Sequence, residues 1–116
     1  MPHYDVNSSA VAHARTLIEA GEVDTTTEWS DAAPSTDQEN ALVESDGYDA
    51  FGDWHLGIDP DGSEQTKGRY GFPYGDFSTV NRAALIHAKQ RASQNDHDEI
   101  AAAADDLLQR LDDAAS

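Results

Sequence analysis

The chain has 116 residues, no cysteine, and a formal charge of -16 from 23 acidic against 7 basic side chains. That length suits one hydrophobic core and is too short for two, and the absence of thiols excludes disulfide frameworks, thiolate metal sites and thiol nucleophiles. No apolar run nears the roughly 18 residues of a membrane span, and Met1-Pro2-His3-Tyr4-Asp5 lacks the basic start and apolar centre of a secretory leader, so the reading is a cytoplasmic protein with no membrane role.

Taken in chain order, residues 1–6 read as a disordered end of a single domain that spans residues 1–116, with 115–116 disordered at the other end. Ala10, Val11, Ala14, Leu17 and Ile18 fall at helical spacing over residues 8–20. Asn7 is placed to cap this helix and Gly21 to end it. Residues 22–34 carry no helical stripe and read as irregular up to Pro34. A capping box, Ser35 with Gln38 or Thr36 with Glu39, then opens a short helix through Ala41, Leu42 and Val43. Tyr48, Phe51, Trp54 and His55 repeat every three or four residues, which predicts an aromatic face on a third short helix over 46–57, weakened by Gly47 and Gly52.

From Ile58 to Phe77 glycine or proline alternates with large side chains, and the Gly/Pro/aromatic stretch at 66–77 predicts a loop or short β-ribbon. Ser78 or Thr79 starts a helix to about Gln94. Asp96 and Glu99 stand in capping-box register for a last helix to about Ala114, whose stripe is Ile100, Ala103, Ala104, Leu107, Leu108 and Leu111. The short break between the two makes an antiparallel hairpin, and the fold class is mainly α, a small helical domain.

Val, Ile, Leu and Phe together supply only 19 residues, under the roughly 20% below which a highly charged chain is usually unfolded. Adaptation to molar salt accounts for the composition better. There are two lysines and 18 alanines, nine aromatic residues are present, and the acids are spread along every segment. Salt screens their repulsion and strengthens apolar burial. Asp105, Asp106, Asp112 and Asp113 lie toward the C-terminal half of the last helix, against its macrodipole, and screening would make them tolerable.

One stretch reverses the charge balance. Residues 67–91 hold five bases against Asp76, a balance of +4, whereas the other 91 residues carry two bases and 22 acids. Lys67, Arg69, Tyr70, Tyr74, Arg82, Lys89 and Arg91 are the candidate contact set for an anionic ligand or protein partner, because guanidinium forks, aromatic planes and glycine backbone hold phosphates and carboxylates. Nucleic acid is a candidate opposed by the net charge. The competing reading is internal pairing with the chain's own carboxylates.

Other chemistry is thinly supported. Asp59-Pro60-Asp61-Gly62-Ser63-Glu64 resembles part of a calcium loop, but the register puts Gly57 and Gly68 at ligand positions, so a solvated turn is expected. His3, His13, His55, His87 and His97 show no metal-binding spacing, and no metal or cofactor is expected. Asp53 and His55 beside Trp54 are the residues a small enzyme would use as a general-base pair; no catalytic motif accompanies them, and a non-enzymatic module is the preferred reading.

The run Trp54, Leu56-Gly57, Asp59, Thr66-Lys67-Gly68-Arg69-Tyr70, Phe72-Pro73-Tyr74-Gly75-Asp76, Val80, Arg82, Ala84-Leu85, Ala88, Gln90-Arg91-Ala92, Ile100, Ala102-Ala103 and Leu107-Leu108 resembles a module of small haloarchaeal proteins. It is also similar to a region of some tailed-phage and prophage head-gene products. The likeness covers residues 54–108, about half the chain. It implies a salt-rich cytoplasm and leaves a virus-derived structural protein as an alternative, and it carries no activity to transfer.

Overall fold

The computed structural model describes residues 4–63 and 65–115; the expected disorder at 1–3 and 116 lies outside the described residues. Helices dominate. The first, α1 (Ser8–Glu19), buries Ala10, Ala14 and Ile18 of the predicted stripe and leaves Val11 and Leu17 partly buried against the core, and Gly21 follows in the left-handed region at φ 78°. Asn7 precedes the helix, but its side chain does not cap it. It is buried and donates from Nδ2 to the carbonyls of Gly52 at 2.9 Å and His55 at 3.2 Å, tying α1 to the aromatic segment.

Two short elements lie in the stretch read as irregular: β2 (Val23–Asp24) and α2 (Trp29–Ala32). The Ser35–Gln38 capping box forms, with both reciprocal bonds present, and opens α3 (Thr36–Gly52). Gly47, at φ 90° and ψ 172°, breaks α3 into two helical runs, so two helices were rightly expected here. The second ends at Gly52. Beyond it the predicted helix gives way to β3 (His55–Ile58), because the chain enters a sheet with non-local partners.

That sheet is antiparallel, with strand order β1-β3-β4. β1 (Asp5–Val6) pairs with β3 through Asp5 to Ile58 and Val6 to Gly57, which corrects the expectation of disorder over these residues. β4 (Tyr70–Pro73) pairs on the other side, Gly57 to Gly71 and His55 to Pro73, so the stretch 66–77 supplies one strand, whose partner is β3 and not a second strand of the same stretch. A single 3-10 turn (Lys67–Arg69) leads into β4. β5 (Val80–Asn81) runs parallel to β2.

The hairpin is α4 (Arg82–Gln94) against α5 (Asp98–Ala115). Its start differs from expectation. Asp76, not a helix cap, collects Ser78 and Thr79 in a turn, and the cap is Asn81, whose Oδ1 accepts from the Ala84 amide at 2.9 Å. Asn81 is fully buried and satisfied, since Nδ2 also donates to the Thr27 carbonyl at 3.1 Å. The Asp96–Glu99 box also gives way: Asp96 adopts φ 61°, and His97 N–H reaches back to the Ala92 carbonyl at 2.8 Å, a left-handed termination of α4.

Among the described residues 17 apolar side chains are buried and seven of these are alanine, so the helices approach closely over a core of small volume. Its large members are Ile18, Phe51, Trp54, Leu56, Tyr74, Leu85, Ile100, Leu107 and Leu111. The radius of gyration is 13.2 Å, against about 13.4 Å for one compact domain of this length.

Candidate functional site

The seven candidate contact residues do not share one surface. Arg82 forks onto Asp112, Nε to Oδ1 at 2.8 Å and Nη2 to Oδ2 at 3.2 Å. Lys89 Nζ meets Asp105 at 2.8 Å. Both pairs bridge α4 to α5, and they hold the Asp112 and Asp105 carboxyls below the usual range, chiefly through the hydrogen bonds from Arg82 and Lys89. Asp106 is likewise lowered by Arg110 and, less, by Arg15. Asp105, Asp106 and Asp112, which run against the α5 macrodipole, thus have local cations.

Arg69 is a staple of another kind. Its Nη1 donates to the carbonyls of Gly62 at 2.8 Å and Asp59 at 3.3 Å, closing the loop that resembled a calcium site. Inside that loop Asp59 Oδ1 accepts from the Asp61 amide at 3.0 Å, as in an ordinary turn. Glu64, the last residue of that motif, lies outside the described residues. Tyr74 is the clearest correction. It is fully buried, stacked on Trp54 at 5.3 Å, and its hydroxyl donates to the Asp53 carbonyl at 2.7 Å while lying 2.8 Å from His13 Nδ1. Burial pushes the phenol pKa up. No external ligand can reach it.

Lys67, Tyr70 and Arg91 remain, and these three converge. They line an open groove of about 310 Å³ with Tyr4, Glu39, Phe51, His55 and the β4 residues Gly71 to Pro73. Each wall has a local cause. Gly52 lets the Tyr70 ring lie against the end of α3, where any Cβ would collide with it. Phe72 sits at φ 63°, an uncommon conformation for an aromatic residue, and its ring meets Tyr4 edge-on at 5.8 Å. Tyr4 arrives through the β1–β3 pairing, and its hydroxyl donates to the Gly68 carbonyl at 3.2 Å.

Charge in the groove is small and defined. Lys67 Nζ lies 3.4 Å from Glu39 Oε1. Arg91, exposed near the end of α4, makes neither an ion pair nor a side-chain hydrogen bond among the described residues. His55 is 6% exposed, and its Nδ1 lies 2.9 Å from the Phe51 carbonyl; a carbonyl only accepts, so Nδ1 carries the hydrogen. Burial lowers its pKa to about 4, so the ring is neutral at pH 7.

The Asp53–His55 pair does not form. Asp53, the C-cap of α3, accepts on Oδ1 from Ser9 Oγ at 2.6 Å, while His55, the first residue of β3, turns its Nδ1 to the Phe51 carbonyl. Among the described residues no group of three or more His, Asp or Glu side chains is placed to hold a metal ion, and no helix is long and apolar enough to cross a membrane. Tyr4, Phe51, His55 and Phe72 were not recognised as groove residues from sequence, since Tyr4 is distant along the chain and Phe51 and His55 were assigned to a helix face. No family model, curated protein or solved structure matches the chain.

Proposed function

We propose that the chain is a non-enzymatic binding module of a salt-adapted, cytoplasmic protein, and that its contact surface is the groove over β4 and not the whole of residues 67–91. The observation that carries this is the pairing census of the basic segment. Arg82, Lys89 and Arg69 are engaged by the protein's own groups, whereas Arg91 has no such partner among the described residues and shares a groove with Lys67 and the half-buried Tyr70. A volume of about 310 Å³ stands at the lower end of the range for ligand pockets. Salt adaptation is supported by the formal charge of -16, which leaves most carboxylates without a cation of the same chain.

Titration with inorganic phosphate and with N-acetylaspartate, followed by amide chemical shifts at a salt concentration where the chain is folded, tests the site. Saturable shifts confined to residues 55, 67, 70–72 and 91, lost in Arg91→Gln, are expected. Shifts that are absent, or scattered over the acidic helices, would remove the groove from consideration.

A further inference from the structure

The chemistry of the groove narrows what it can hold, given that it is the contact surface proposed above. Glu39 offsets Lys67, so Arg91 leaves the groove with a surplus of one positive charge. A phosphate chain brings one negative charge per nucleotide and would face the remaining acids of a molecule at -16. A single carboxylate matches the surplus and meets little of that field. A guanidinium fork is also shaped to take a carboxylate in two parallel bonds.

The walls point the same way. Tyr4, Phe51, Tyr70 and Phe72 present ring edges and faces, with Phe51 to Tyr70 at 6.1 Å and Tyr4 to Phe72 at 5.8 Å. Tyrosine, phenylalanine and arginine are the side chains enriched where proteins meet one another. His55 adds a polar element. With its Nδ1 hydrogen committed to Phe51, the capacity it has left is an acceptor lone pair on Nε2, which suits a peptide N–H.

We infer that the groove docks a short acidic segment of a partner protein, with one carboxylate on the Arg91 guanidinium and a neighbouring apolar side chain against Tyr70 and Phe72. Arg91 supplies charge recognition and the aromatic walls supply the anchor.

The test uses capped tetrapeptides that pair one Asp or Glu with Phe, Tyr, Trp or Leu, together with their Asn and Gln counterparts. Amide shifts are followed in the full chain. Acidic members should bind at residues 55, 70–72 and 91 at least fivefold more tightly than the neutral ones. Arg91→Gln should bring the two sets level while leaving the melting temperature unchanged, since the side chain makes no ion pair or hydrogen bond among the described residues. Binding that ignores the carboxylates, or that occurs elsewhere on the surface, overturns the inference. Phosphate or a six-residue oligodeoxythymidylate occupying the groove in place of any peptide overturns it too, but keeps the anion-site reading. If none of these probes shifts the groove, both fall.

Discussion

An imidazole that is 6% exposed, with its Nδ1 hydrogen held by the Phe51 carbonyl, can take a second proton only at the expense of burying a charge. Its pKa is accordingly about 4 in the fold, against roughly 6.5 in an unfolded chain. As pH falls below the unfolded value the unfolded state binds the proton first, so His55 withdraws stability progressively until the pH reaches the folded value. Its contribution is complete above pH 6.5 and lost by about pH 4, and amounts to about 3 kcal/mol. Urea unfolding of the parent and of His55→Asn, which can keep a donor to Phe51, isolates this share from that of the carboxylates. The variant should lose clearly less stability between pH 7 and pH 4.5, and parallel curves would refute the assignment. Residue chemistry of this kind is partly legible in sequence. Tyr74 and Tyr70 look alike there, four residues apart in one glycine-rich segment, yet one stacks on Trp54 in the core and the other lines the groove. What separates them is the non-local contact each finds.

At the scale of elements, what was legible is what is local. α1, the Ser35–Gln38 box and the α4–α5 hairpin follow from periodicity and capping within a few residues. The two-residue strands have no periodicity to read. β2 finds its partner β5 at Val80–Asn81, far along the chain, and β1 brings Tyr4 into the groove only because β3 lies beside it. The same non-local pairing turns residues 55–57 from an apparent helix face into strand. Gly47 is where the local signal was most informative, since its doubtful fit in a helix marks an actual break. Its φ of 90° with ψ of 172° is nearly closed to residues with a side chain, although a Cβ would have open space around it. Gly47→Ala should therefore cost about 1–3 kcal/mol through backbone strain alone. Thermal melts check this. An unchanged variant would mean that α3 can straighten through this point and that the Phe51 turn does not depend on the break.

For the molecule as a whole the deciding quantity is the excess of acid. The described ion pairs engage Glu39, Asp105, Asp106 and Asp112, four of 23 acidic residues. Added salt weakens those pairs, but their side chains are mostly more than a third exposed, and exposed pairs contribute little. It also screens the repulsion among all the other carboxylates, which is the larger effect at a charge of -16. The core gives the repulsion little to work against, because alanine fills seven of its 17 described apolar positions. At 1 M the Debye length falls to about 3 Å, and excluded salts further favour apolar burial. The melting temperature should thus rise continuously from low to molar potassium chloride. Arg82→Gln provides an internal control. It removes one bridge between α4 and α5 and leaves Asp112 without that partner, so it should melt below the parent at low salt and converge with it at molar salt. A parent curve that is flat or falling would rule out salt adaptation. A gap between parent and variant that persists in molar salt would instead show that the Arg82 fork acts through packing and hydrogen bonding and not through charge.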